Sequence, residues 1–95
     1  MAPRDVYRII ISKDCRKRIG KTHPKIRAAV DRALEKIAID PYHAPHVKQL
    51  SGDLAGYYGC RIGAYRLIYR IHDDIVTVYV LDFGPRGDIY KSIHG

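Results

Sequence analysis

A chain of 95 residues holds one compact domain, expected to span residues 1–95, and excludes a two-domain arrangement. With 46% hydrophobic residues and no low-complexity run, a wholly disordered chain is excluded as well. Lys and Arg number 17 against 10 Asp and Glu, a net charge of +7. That excess points to an anionic partner: nucleic acid, an anionic membrane surface or an acidic protein. The plainer alternative is a basic soluble protein.

Taken in chain order, residues 5–11 (DVYRIII) are β-branched and short, and read as a first strand. The apolar run there is too short for a signal peptide or a membrane span, so a cytoplasmic protein without membrane contact is expected. Ser12 is placed to cap a helix starting near Lys13 and stopping at Gly20. Cys15 and Ile19 share its apolar face. Lys13, Arg16, Lys17 and Arg18 lie on the other, read mostly as a solvated charge run. Pro24 opens a second helix ending near Ile39, before Asp40-Pro41. Ile26, Ala29, Val30, Ala33, Leu34 and Ile37 form its apolar stripe, with Arg27 and Asp31 as an i,i+4 pair on the wet side.

Residues 40–56, rich in Pro, Gly, Asp and His, read as a connecting loop. His43 and His46 are three apart, but no Cys or carboxylate constellation accompanies them, so no metal site and no cofactor are expected. Cys15 and Cys60 lack metal-ligand spacing and fall at apolar positions, as buried thiols do in a reducing compartment.

Gly63-Ala64 and Asp73-Asp74 read as two-residue hairpin turns joining antiparallel strands at 57–62, 65–72 and 75–83. The implied register sets Tyr58 against Tyr69, Cys60 against Leu67 and Ile62 against Tyr65. Across the second hairpin it sets Leu67 against Val80, Tyr69 against Val78 and Ile71 against Val76. These residues make one apolar face, which the two helices cover. On the other face Arg61 lies opposite Arg66, Ile68 opposite Tyr79, and Arg70 opposite Thr77. Like charges directly opposed on a sheet are unfavourable unless water screens them or an anion sits between them. Gly84-Pro85-Arg86 can bring a third guanidinium to the same end, with Tyr90 four residues on. The pattern therefore reads as an anion site on an open sheet face, or as an ordinary exposed face with Tyr79 or Tyr90 covering its edge.

With these residues in view, the chain resembles the RelE/ParE superfamily, the toxin halves of type II toxin–antitoxin modules. The likeness rests on VKQLSG (Val47 to Gly52), YYGCRIGAYRLIYR (Tyr57 to Arg70) and FGPRGDIY (Phe83 to Tyr90). It implies an α+β, RelE-like fold: a mainly antiparallel sheet in the order β-α-α-β-β-β, with two N-terminal helices packed on one face. For the RelE branch it implies a ribosome-dependent mRNA endonuclease in which the nucleotide's own 2′-OH attacks the scissile phosphate without a metal. By position, Arg66 matches the phosphate-binding arginine and Arg86 the arginine that stabilises the transition state. Tyr90 matches a tyrosine proposed as acid/base or stacking group, and Arg61 a basic residue on the second strand. Lys48, Arg61, Arg70, Tyr79 and Lys91 are the expected nucleic-acid contacts. The implied partners are a cognate antitoxin, in a possible hetero-oligomer, and the ribosome with its mRNA. Gly59 departs from the pattern, since RelE-type enzymes usually carry a second basic side chain there. Pro85 replaces a frequent His or Lys. A ParE-like gyrase poison and an inactive antitoxin-binding module are the competing readings.

Overall fold

A computed structural model of the chain describes residues 6–85. Strand β1 (Arg8–Ile11) leads into helix α1 (Lys13–Gly20), and helix α2 (Pro24–Ile39) follows. The Ser12 side chain accepts the Cys15 N–H at 3.3 Å, which is the N-cap read from the sequence. Pro24 opens α2 behind a His23 cap. Strands β2 (Val47–Gln49), β3 (Tyr58–Ile62), β4 (Tyr65–His72) and β5 (Thr77–Pro85) complete a five-stranded sheet in the order β1-β5-β4-β3-β2. Strand β1 runs parallel to β5, and the other pairs are antiparallel. The α+β, mainly antiparallel architecture follows the expectation.

Three details correct it. The 40–56 segment contains β2 and a 3-10 turn at Gly52–Leu54, so a strand precedes the meander. Three residues are too few to show an alternation in sequence. Arg27, expected to pair with Asp31, donates instead to the carbonyls of Gly20 (3.0 Å) and Thr22 (3.4 Å). It satisfies groups at the C-terminal end of α1 that lack helical partners.

The third correction is to the second hairpin. Tyr58, Cys60, Arg61 and Ile62 meet Tyr69, Leu67, Arg66 and Tyr65 as the Gly63-Ala64 turn requires, and Gly63 has φ 60°. Asp73-Asp74 is not a two-residue turn. Asp73–Ile75 form a 3-10 turn, Val76 takes φ 46°, and β5 begins at Thr77. Tyr69 therefore faces Val80 and Ile71 faces Val78, a shift of two residues that preserves the faces. An irregularity between Ile68 and Tyr69 adds one more step, so Leu67 faces Phe83 and Ile68 faces Asp82. Arg70 faces Tyr79, not Thr77.

The core lies between the helices and one sheet face. Cys15, Val30 and Ile37 meet Cys60, Leu67, Tyr69, Val78, Val80 and Phe83, all buried. The Tyr69 hydroxyl, fully buried, donates to the Pro41 carbonyl at 2.5 Å, so its polar end is satisfied. The opposite face is not fully open. Ile68 has 0% exposure and packs with Leu50, Leu54 and Tyr57 under the β2–β3 connection. That small second core anchors the floor beside the arginines.

Candidate anion-binding site

Paired residues on neighbouring strands share a sheet face. Lys48 of β2 pairs with Gly59 of β3, which pairs with Ile68 of β4. One row on, Arg61 pairs with Arg66, and Arg66 with Gly84 of β5. All of these lie on the face away from the helices. The strands thus hold Lys48, Arg61 and Arg66 on one rigid surface. The Arg61 backbone N–H also donates to the His46 carbonyl at 3.1 Å, which ties the start of β2 to the cationic row.

A cleft of about 310 Å³ opens there, lined by His46, Val47, Lys48, Gly59, Arg61 and Arg66. A second cleft of similar volume, about 310 Å³, lies toward the 3-10 turn and is lined by Lys48 to Ser51, Asp53, Leu54 and Arg66. Lys48 and Arg66 form the wall shared by both. Two arginines and a lysine lining one concave face suit a multiply charged oxyanion, such as a phosphodiester in a nucleic-acid backbone. Arginine offers planar paired donors, so two of them can hold a phosphate in a fixed orientation.

The expected residues separate into three groups. Lys48, Arg61 and Arg66 share the cleft. Arg70 and Tyr79 do not line it. They oppose each other farther along the sheet, past Ile68, where the Arg70 guanidinium lies 5.6 Å from the Tyr57 ring centre and Tyr79 meets His72 edge-on. Arg86, Tyr90 and Lys91 lie outside the described residues. The strand that leads toward them ends with Pro85 opposite Tyr65, beside Arg66.

Sequence reading missed His46 and Gly59 as parts of the cleft. His46 stood in a segment read as loop, and its φ of 65° has no signature in a histidine. Gly59 stood out only as a missing basic side chain. In place, it has Arg66 lying over it. A Cβ built at Gly59 would come within 3.3 Å of Arg66 Cδ and 3.4 Å of Leu50 Cδ2. His43 pairs with Asp40 at 3.2 Å, away from the cleft. No group of three His, Cys, Asp or Glu side chains able to hold a metal occurs among the described residues. Nor is any helix there long and apolar enough to cross a membrane.

Comparison with known proteins adds four findings. The family model for the ParE toxin of type II toxin–antitoxin systems (parDE) matches residues 5–90. The chain is 36% identical over 86 residues to toxin RelG of Mycobacterium tuberculosis, covering 90% of this chain and 97% of the relative. It superposes on a chain of the toxin–antitoxin complex RelBE2 from the same organism with a TM-score of 0.72 and 33% identity, covering 85% of this chain and 99% of that one. The fold also matches the archaeal RelE–RelB complex from Pyrococcus horikoshii, with a TM-score of 0.73 at 24% identity, over 86% of this chain and 97% of that one.

Proposed function

The chain belongs to the RelE/ParE superfamily and is a toxin of the type II toxin–antitoxin class, and from that premise we propose that it is a ribosome-dependent mRNA endonuclease. The observation that carries this reading is the cleft joining Lys48, Arg61 and Arg66 on the sheet face opposite the helices. A message lying across that face puts a backbone phosphate between the two arginines. The adjacent 2′-OH attacks phosphorus and the bond to the 5′ oxygen breaks. The products are a 2′,3′-cyclic phosphate and a free 5′-hydroxyl. The proton leaves the 2′ oxygen and one is delivered to the departing 5′ oxygen.

Charge accumulates on the phosphoryl oxygens in the transition state. Fixed guanidiniums stabilise it more than mobile water does, because they need no reorganisation when the reaction occurs. Arg86 is assigned to the same cluster, since Gly84 and Pro85 run beside Arg66 and Tyr65. Tyr90 is assigned as proton-transfer or base-stacking group, and Lys48, Arg70, Tyr79 and Lys91 as contacts along the strand of RNA.

The partner we assign is a cognate antitoxin encoded with the toxin. RelBE2, one chain of which is 33% identical to this one, is a toxin–antitoxin complex. An antitoxin segment carrying carboxylates would compete with phosphate for Arg61 and Arg66. The module acts in the cytoplasm, where its message and ribosomes are, and the chain works as one domain.

The test is purified, antitoxin-free protein added to ribosomes carrying a defined message. Cuts within the decoding site ending in 2′,3′-cyclic phosphate are expected, and intact message would overturn the reading. The family model that matches is that of a ParE toxin, which favours DNA gyrase as the second candidate target. Accumulation of gyrase–DNA cleavage complexes with intact message would establish that reading instead.

A further inference from the structure

Arg61 and Arg66 are a directly opposed cross-strand pair, an arrangement that like charges disfavour. The side chain of Arg66 does not stand upright beside Arg61. Its stem crosses diagonally onto the next row of β3, where Gly59 sits two residues before Arg61. Arg66 Cδ and Cγ lie 3.3 Å and 3.8 Å from where a Gly59 Cβ would be, and Leu50 Cδ2 lies 3.4 Å from it. The Arg66 Nε is buried. Gly59 has an ordinary backbone angle, unlike Gly52, Gly56 and Gly63, which take positive φ. Its lack of a side chain therefore serves space and not backbone conformation.

We propose that Gly59 is a positioning residue: by leaving its place on the sheet face vacant it lets Arg66 lie across β3 toward Leu50, which turns a repulsive arginine pair into a two-sided clamp for one phosphate of single-stranded RNA. The cleft follows from this tilt. Gly59, Arg61, Arg66 and Lys48 line it together. A methyl group at position 59 meets the Arg66 stem at 3.3 Å, so that stem must give by a few tenths of an ångström and the guanidinium it carries is displaced from its set on the phosphate. This inference rests on the nucleic-acid reading of the cleft but not on cleavage.

A double-mutant cycle on RNA affinity tests it. The full chain and its Gly59→Ala, Arg66→Ala and doubly substituted variants are titrated with a short single-stranded RNA carrying 2′-O-methyl riboses, which cannot be cut. Titration over a range of salt gives the slope of log affinity. Arg66→Ala is expected to weaken binding roughly tenfold, the equivalent of one charge-assisted hydrogen bond. It also lowers the salt slope by about 0.7, one phosphate contact on a single strand. Gly59→Ala reproduces part or all of both changes, and in the Arg66→Ala background it adds nothing.

Gly59→Ala binding like the unsubstituted chain overturns the proposal, as does an equal loss from Gly59→Ala whether or not Arg66 is present. Absence of RNA binding by the unsubstituted chain overturns it too. If Gly59→Ala fails to fold alone but folds with Arg66→Ala, the conflict lies with Arg66, as proposed. If both fail to fold, the constraint lies with Leu50 and the proposal falls. Full coupling without message cleavage on ribosomes leaves the clamp standing and removes only the endonuclease reading.

Discussion

Arg18 carries more than its place in a charge run suggests. Its guanidinium pairs with Asp82 and also donates to the Phe83 carbonyl at 3.3 Å. Asp82 is buried, with 5% side-chain exposure, and also accepts the Phe83 N–H at 2.8 Å. The cause is the length of β1, which ends at Ile11 opposite Val80 and leaves the next stretch of β5 edge to α1. Removing the cation leaves a buried carboxylate with the Phe83 N–H but without its half-exposed arginine, so Arg18→Ala is expected to destabilise the fold by about 1–3 kcal/mol in urea unfolding. A change within about 0.5 kcal/mol, the range of ordinary surface substitutions, would show that the pair is solvated. Sequence periodicity put Arg18 with Lys13, Arg16 and Lys17 on the wet face of α1. It has no means of showing where a neighbouring strand stops, and that decides which of four similar cations is recruited. Arg61 and Arg66 were legible as a pair because a two-residue turn fixes the register for the residues beside it.

At the scale of elements, the β4–β5 connection is tied to two distant segments. Asp73 accepts from the Tyr7 hydroxyl at 2.5 Å and from the Tyr42 hydroxyl. The hydrogen bond from Tyr42, followed by that from Tyr7, holds the Asp73 carboxyl below its ordinary pKa. A carboxylate with a lowered folded-state pKa stabilises the fold above its unfolded value, about 3.9. That contribution is lost as the pH falls through the lower folded-state value. Asp73→Asn is thus expected to be less stable than the parent near neutral pH, and the gap is expected to close in acid as the carboxylate is protonated in the folded state. A gap independent of pH in denaturant unfolding would contradict the tie.

The same connection shows where sequence reading stopped. Asp-Asp suggested a tight turn, whereas the chain spends Asp73 to Val76 on it, with a valine at φ 46°. Left-handed valine is rare because its branched Cβ crowds the backbone, so no propensity argument selects it. From Thr77 to Val80 the faces survived because the shift was even; past the irregularity the shift is three, so Phe83 enters the core where alternation from Val80 would have placed Asp82. The small second core was also hidden, since Leu50 and Leu54 belong to a segment without periodicity. Ile68→Ala is expected to destabilise by about 2–4 kcal/mol, as truncation in a packed core does. On a truly open face the loss would be a few tenths, which thermal or urea unfolding readily separates.

For the whole molecule, one sheet separates two tasks. Its helix-covered face holds the main core, and its other face holds the cationic cleft. Burial pushes the thiols of Cys15 and Cys60 up to about 11, so both stay protonated and shielded in the folded chain. Alkylation at mildly alkaline pH is expected to be slow in the native protein and fast once it is unfolded. Rapid native labelling of Cys60 would show that the α2 side of β3 opens. Substitutions divide in the same way. Leu67→Asp puts a charge at a position of 0% exposure and is expected to abolish folding, while Arg66→Ala is expected to leave the fold intact and impair only the proposed activity.

In the proposed function the Arg61–Arg66 cleft is the working part of the toxin, and its most direct test is single-turnover cleavage of message on programmed ribosomes by the native chain beside Arg66→Ala, both shown to be folded. The prediction is decoding-site cleavage by the native chain and a loss of at least about a hundredfold in the variant, the scale of one electrostatic contact to a transition state. Equal cleavage by the two proteins would contradict it.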